Sequence, residues 1–200
     1  MDIYDFSFIK NDGSLFSFSC LRGEIVLVFN SAVHDALSSQ YRQLEQLYQK
    51  YRNLDFEILD FPCNQFHGMA PEDDAEIQNL IENEYHTSFY RFRKCDVKGK
   101  DVNPLFAYLV SKKKFRGLDS TNPISKIVNA NFLKEGHSLL DKSPEIRWNF
   151  TKFLIDRHGK VSSRFECTDS MEKIEKAISR LLDTQPIFQE SNTDGVFFEK

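Results

Sequence analysis

The feature that most constrains the fold is a pair of buried strands separated by one amphipathic helix. Residues 25–29 read IVLVF, a continuously apolar run typical of a strand that is covered on both faces. Residues 56–61 read FEILDF and stop at a proline, which predicts a second buried strand. Between the strands, apolar residues at helical spacing predict one amphipathic helix, starting near residues 38–39: Leu37, Tyr41, Leu44, Tyr48 and Tyr51. This order predicts a right-handed βαβ unit with two parallel strands.

The residues before and after this unit predict further elements of the same domain. Aromatic residues alternate at positions 4, 6 and 8, and the turn residues Asn-Asp-Gly follow at 11–13, so the first twenty residues predict a β-hairpin. The sequence DDAE at 73–76 predicts the start of a short helix that carries Ile77, Leu80 and Ile81.

The second half of the chain predicts an edge strand over residues 92–97 and a helix that opens at Pro104. Residues 150–156 and 161–165 predict a hairpin, and residues 171–182 predict an amphipathic helix. Residues 112–147 mix polar and apolar residues with glycine and proline, which indicates an ordered insertion. We therefore predict one α/β domain over residues 1–182 with a central mixed sheet, followed by a C-terminal tail over residues 183–200.

Length and charge exclude several classes of partner. The chain has 200 residues, 26 basic against 30 acidic, and a net charge of −4. We expect no nucleic acid as a partner, because the densest basic run, residues 112–114, is typical of a solvated helix end rather than a phosphate-binding face. We expect no membrane span, because no apolar run approaches about 18 residues. The N-terminus has no signal-peptide pattern, so the prediction is a cytoplasmic protein.

The cysteines predict neither a disulfide framework nor a metal site. Cys20, Cys63, Cys95 and Cys167 are widely spaced, without a CxxC pair or a histidine at ligand spacing. An isolated cysteine of this kind is more often a small buried apolar residue than a reactive group.

Three longer motifs carry a family resemblance. Residues 30–41 read NSAVHDALSSQY, residues 61–66 read FPCNQF, and residues 148–154 read WNFTKFL. In this order and spacing they resemble the glutathione peroxidase family. The resemblance implies a thioredoxin-like three-layer fold with a central mixed β-sheet flanked by helices and an N-terminal β-hairpin. It also implies a hydroperoxide and a thiol reductant as ancestral partners, and no cofactor.

The resemblance extends to the residues before the WNF motif. The insertion over residues 112–147 stands where oligomeric members of the family carry a subunit-contact loop. This position favours a homo-oligomer, a dimer or a tetramer.

The residues that carry the family's chemistry are changed in this chain. The position that matches the family's peroxidatic cysteine holds Asp35, and the position of the assisting glutamine holds Met69. The other two members of the family's tetrad are retained as Trp148 and Asn149. Peroxide reduction needs a soft thiolate or selenolate that can become a sulfenic or selenenic acid. Since a carboxylate cannot be oxidised in this way, we predict a family member that has lost thiol peroxidase catalysis.

Each substituted or retained site residue also has a purely structural interpretation. Asp35 could cap the following helix rather than act as a catalytic carboxylate. Trp148 and Asn149 could fill the core and satisfy a loop, or line a pocket. Met69 is better explained as a pocket filler than as a redox switch.

Two alternative functions follow from neighbouring residues. Cys63, inside the FPCNQF motif, could act as a substitute nucleophile, although the family commonly carries a cysteine there without using it in this way. His34 and His67 would approach Asp35 at the pocket rim if the resemblance holds. Such a trio could support acid/base chemistry or a metal site, but the spacing does not favour a metal, and we predict none.

The resemblance makes a geometric prediction for Asp35. Its carboxylate should lie about 2.7–3.2 Å from a side-chain donor of Trp148 or Asn149. Such accepted hydrogen bonds should lower the pKa of Asp35, and removal of the charge by Asp35→Asn should cost about 1–3 kcal/mol if the site is buried.

Overall fold

The N-terminal hairpin is the first element of the structure, a computed structural model that describes residues 2–138 and 143–183. Strand β1 (Ser7–Ile9) pairs antiparallel with strand β2 (Leu15–Ser17), which confirms the predicted hairpin. The strands are shorter than predicted, because Tyr4 lies in a 3-10 helix over Ile3–Asp5 and a second 3-10 helix follows over Phe18–Leu21.

The predicted βαβ unit is present. Strand β3 (Ile25–Ser31) and strand β4 (Phe56–Pro62) are parallel and are joined by helix α1 (Gln40–Tyr51). All residues of both strands are buried, as a continuously apolar run predicts. The helix begins at Gln40 with Ser39 at its N-cap, which confirms the predicted start near residues 38–39, and the Leu37 side chain in the preceding turn is buried as well.

The remaining elements complete a five-stranded mixed sheet in the order β5-β4-β3-β6-β7. Strand β5 is parallel to β4, whereas β6 is antiparallel to β3 and β7 is antiparallel to β6. The further elements are α2 (Asp74–Tyr85), β5 (Tyr90–Arg91), α3 (Pro104–Lys112), α4 (Ile124–Lys134), β6 (Lys152–Ile155), β7 (Val161–Phe165) and α5 (Met171–Leu182).

Both faces of the sheet are covered, which confirms the three-layer prediction. On one face Phe29 of β3 packs its ring against Tyr41 of α1. The register pairs Phe29 with Asp60, so the next residue, Phe61, points to the other face. There its ring contacts Phe8 of the hairpin and Phe106 of α3.

The edge strand predicted over residues 92–97 is wrong in its position. Only residues 90 and 91 form β5, and Phe92 makes an isolated bridge to Lys10 of the hairpin. Beyond that point the ladder is not regular, since Lys94 N donates to the side chain of Asp74, at 2.7 Å from Oδ1, whereas Cys95 N donates at 2.9 Å to the carbonyl of Pro62, the last residue of β4. The side-chain acceptor at Asp74 takes the place of one backbone bond.

The predicted insertion over residues 112–147 contains helix α4, an element that the sequence analysis did not identify. Before α4, Asp119 N donates to Thr168 Oγ1 at 3.1 Å and Asn122 Nδ2 donates to the Thr168 carbonyl at 3.2 Å. Residues 139–142 and the predicted tail beyond residue 183 lie outside the described residues. Within the part of the chain that is described, no helix is long and apolar enough to cross a membrane.

Candidate functional site

Asp35 lies in the turn between β3 and α1, five residues before the helix begins. The prediction that it caps this helix is wrong, because the residue at the helix N-cap is Ser39. The Asp35 carboxylate instead accepts a hydrogen bond from the Leu37 amide at 2.8 Å through Oδ1. This bond from the backbone two residues on is an Asx turn, and it fixes the carboxylate at the carboxyl end of β3.

The predicted contact between Asp35 and the retained pair is present. Asn149 Nδ2 donates to Asp35 Oδ2 at 3.0 Å, inside the predicted range. Asn149 Oδ1 in turn accepts from Asn30 Nδ2 at 3.4 Å, so the amide orientation is fixed on both sides. Asn149 and Asn30 are fully buried, and Asp35 is 3% exposed. Asn30 was not predicted as a site residue, although its place in the NSAVHDALSSQY motif was a usable signal.

A second residue that the sequence analysis missed, Lys152, supports the same corner of the backbone. Phe150 is buried and has a φ of 62°, a left-handed conformation that is unusual for a bulky residue. Lys152 Nζ, which is fully buried, donates to the Phe150 carbonyl and to Gln40 Oε1, both at 2.6 Å. Burial lowers the pKa of Lys152 to about 8. The signal for this residue was a lysine within the apolar run of the WNFTKFL motif.

A small pocket lies over Asp35, between the turn after β3, the loop after β4 and helix α4. The cavity has a volume of about 200 Å³. The Trp148 ring, 5% exposed, packs against Phe66 and His67 with centroid separations of 5.8 and 5.4 Å. Trp148 therefore both fills the core and lines the pocket. The lining residues are Asp35, Ala36, His67, Met69, Ile124, Ile127, Asn131 and Trp148.

The electrostatic environment of Asp35 differs from the prediction. Burial raises the pKa of Asp35 above its ordinary value of 3.8, while the hydrogen bonds from Asn149, the Leu37 amide and the Trp148 side chain act in the opposite direction. The expected lowering of the pKa is therefore wrong, because loss of solvent outweighs the hydrogen bonds. A carboxyl group in this environment can accept hydrogen bonds or hold a proton, but it cannot be oxidised by a peroxide.

Of the two histidines predicted at the pocket rim, His67 lines the pocket and His34 does not. His34 pairs through Nε2 with Oε1 of Glu72, and the backbone amide of His34 donates to the Met69 carbonyl at 3.0 Å. His67 is exposed, and its ring packs against Trp148 at an interplanar angle of 50°. Within residues 2–138 and 143–183, no group of three or more histidine, cysteine, aspartate or glutamate residues could hold a metal ion.

Cys63 lies in a position that does not suit a nucleophile. Its side chain is fully buried, and burial raises the pKa of the thiol to about 11. Its polar contacts are with Gln65, whose backbone amide donates to Cys63 Sγ at 3.5 Å. Cys63 is not among the residues that line the pocket over Asp35. Burial likewise raises the pKa of Cys167 to about 12.

Comparison with known proteins places these motifs in a family and in a fold. The family model for glutathione peroxidase matches residues 3–110. A glutathione peroxidase homolog from Neisseria meningitidis is 40% identical over 184 residues, which is 91% of this chain and 100% of that protein.

Solved structures agree with this result. The crystal structure of Trgpx in apo form is 29% identical, has a TM-score of 0.66, and covers 93% of this chain and 97% of its own. A thiol:disulfide interchange protein of the thioredoxin family from Chlorobium tepidum is 16% identical, with a TM-score of 0.57 over 88% of this chain and 92% of its own. The latter likeness concerns the fold alone, and together the two structures confirm the thioredoxin-like fold.

Proposed function

Because the chain belongs to the glutathione peroxidase family, we propose that it is a member without thiol peroxidase catalysis, which keeps its fold and the pocket over Asp35 for binding, interaction or regulation. The observation that supports the proposal is the Asp35 carboxylate, which is buried and hydrogen-bonded to Asn149, at the position that the motif resemblance matches to the family's peroxidatic cysteine. Catalysis by the family needs a thiolate or selenolate there. When ionised, the carboxylate carries the same negative charge as that group, without its redox chemistry.

The two alternative functions have less support. An active peroxidase that uses Cys63 would need a thiol that is accessible and readily ionised, whereas Cys63 is buried and its pKa is raised to about 11. A His–Asp pair would need a histidine on the Asp35 carboxylate, whereas that carboxylate accepts from the Leu37 amide and Asn149. No contact described above specifically supports either alternative.

A peroxidase assay with glutathione and with thioredoxin tests the proposal. We expect the wild-type chain to consume peroxide no faster than a heat-denatured control. Asp35→Cys combined with Met69→Gln should restore single-turnover oxidation by peroxide, because the pocket donors would then face a thiolate. The matched control is Asp35→Ser with Met69→Gln, which has the same shape without the soft sulfur. Wild-type turnover that Cys63→Ser abolishes would contradict the proposal.

We also propose a homo-oligomer, supported by an apolar side chain on α4. Leu133 is 48% exposed and, by helical periodicity, lies on the side of α4 away from the pocket residues Ile124 and Ile127. Light scattering at micromolar concentration should give a multiple of 23.4 kDa. Leu133→Lys should shift the mass toward the monomer, and a monomeric wild-type protein would refute this proposal. A cytoplasmic location remains a prediction from the sequence.

A further inference from the structure

Within the described residues, the hydrogen-bond donors to the Asp35 carboxylate are all neutral. Oδ1 accepts from the Leu37 amide and Oδ2 from Asn149, and the Trp148 side chain donates a further hydrogen bond. Within the described ranges, no lysine, arginine or histidine forms an ion pair with this carboxylate. A buried carboxylate without a cation is costly to keep ionised, which agrees with the raised pKa of Asp35. The charge therefore has no partner within this part of the protein.

Asp35 also borders the pocket. Asp35 is one of the residues that line the cavity. The carboxylate has about four acceptor sites, and the protein supplies three hydrogen bonds to it, from the Leu37 amide, Asn149 and the Trp148 side chain. One acceptor site thus remains for a donor in the pocket. An N–H group on a cationic nitrogen would supply this donor and the missing charge at the same time.

The rest of the pocket is apolar and aromatic. Ala36, Met69, Ile124 and Ile127 supply aliphatic or thioether surface, and Trp148 supplies an indole ring. An indole ring attracts an organic cation through its π face, and aliphatic walls favour the hydrocarbon part of a ligand. The volume of about 200 Å³ is below the roughly 300–1,000 Å³ typical of drug-sized ligands, so the ligand must be small.

We propose that this pocket binds a small organic ammonium ion, with its nitrogen on the Asp35 carboxylate and its apolar part against Trp148 and helix α4. The inference rests on the proposed function, since it assumes that the pocket has a binding role. Asp35 excludes anions from the same cavity by charge repulsion. The shape of the cavity selects for size, and the unpaired carboxylate selects for positive charge.

Three probes of similar size and different charge test this selection: phenethylammonium, 2-phenylethanol and 3-phenylpropionate. Titration calorimetry on the full chain should show the ammonium ion binding about tenfold more tightly than the alcohol, as expected for a charge-assisted hydrogen bond. The carboxylate probe should bind most weakly. Equal affinity for the three probes, preference for the alcohol or the anion, or no binding at millimolar concentration would overturn the proposal.

Two sets of variants locate the binding. Asp35→Asn should remove the preference for the ammonium ion over the alcohol. Because that change is buried, Ile127, which is 53% exposed at the pocket wall, provides a second test that does not disturb the core. Ile127→Lys should weaken ammonium binding and Ile127→Glu should strengthen it, with Ile127→Gln as the neutral control. A preference that persists unchanged in all of these variants would place the binding elsewhere and refute the proposal.

The peroxidase assay separates this inference from the proposed function. Peroxide turnover by the wild-type chain would refute the proposed function whatever the probes do. Absence of turnover together with absence of an ammonium preference would refute only the inference drawn here.

Discussion

At position 35, burial and hydrogen bonding act on one carboxyl group in opposite directions. Burial disfavours the ionised form, whereas the Leu37 amide and Asn149 favour it. Because burial is the larger effect, the pKa is raised in the folded state. A group of this kind stabilises the fold while it is protonated, and that contribution is lost as the pH rises through the folded pKa.

We expect the stability of the wild type relative to Asp35→Asn to decrease with rising pH. This decrease in stability should begin near pH 3.8, which is the ordinary pKa of this group. It should level off above the raised pKa of the folded state. Urea unfolding of both proteins at a series of pH values measures the difference in free energy of unfolding. Asp101→Asn, which removes an exposed carboxylate, is the control for loss of charge. If the wild type instead gains stability relative to Asp35→Asn as the pH rises, Asp35 is better solvated than its buried position implies.

The contact made by Asp35 could be predicted from the sequence, but its electrostatics could not. The spacing of two motifs was enough to bring residue 35 near Asn149, because Asp35 follows β3 and Asn149 precedes the adjacent antiparallel strand β6. The sign of the pKa shift depends on how far solvent is excluded by Trp148 and by α4. No local pattern in the sequence contains that information, since the excluding residues come from separate segments.

At the scale of elements, the shortest strand is held by a buried ion pair. Strand β5 has two residues, and Arg91 Nε donates to Asp60 Oδ2 of β4 at 2.8 Å, with both side chains at most 2% exposed. Arg91 also donates through Nη2 to Thr87 Oγ1 at 2.8 Å. The pair thus fixes the sheet edge next to the end of α2, where two ladder positions alone would give little stability.

We expect Arg91→Ala to destabilise the protein by about 3–5 kcal/mol, because it leaves the Asp60 carboxylate buried without a cation. The double variant Asp60→Leu with Arg91→Met should lose much less than the sum of the single variants Asp60→Leu and Arg91→Met, since it removes both charges together. Denaturant unfolding of the set gives the coupling energy. Additive losses would mean that the two charges do not depend on each other.

The long elements could be predicted, and the short or shifted ones could not. Strands β3 and β4 are marked by apolar runs whose pattern does not depend on distant residues. The start of α1 near residues 38–39 was predicted correctly, since Ser39 is its N-cap, whereas Leu37 of the apolar stripe lies before the helix and is buried by tertiary packing. Helix α4 was missed although Ile124, Val128 and Phe132 recur at helical spacing, because the surrounding glycine and proline residues indicated a loop.

Over the whole molecule, the segment around α4 reaches the apolar core through Val128 but, within the described residues, shares no strand ladder with the sheet. The five strands share ladders and one continuous apolar core. The segment that leads into α4 is joined to the residues before α5 by the bonds of Asp119 and Asn122 to Thr168. A region that is joined to the rest of the protein by few contacts opens locally at a lower free energy than the core does. Since α4 forms one wall of the pocket, local opening there bears directly on binding.

Thr168→Val should loosen this segment without weakening the sheet. Thr168 is 2% exposed, and its hydroxyl is the acceptor for the Asp119 amide at 3.1 Å, so valine leaves that amide without its acceptor at a cost of about 1–3 kcal/mol. Amide hydrogen exchange in residues 119–134 should become about 5–30-fold faster if 1–2 kcal/mol of that cost falls on the local opening, whereas exchange in β3 and β4 should not change. Thr121→Val is the matched control, because the Thr121 hydroxyl bonds only to Asp119 within the same segment, at 2.7 Å. An equal acceleration in the central strands would show that the α4 segment and the sheet open as one unit.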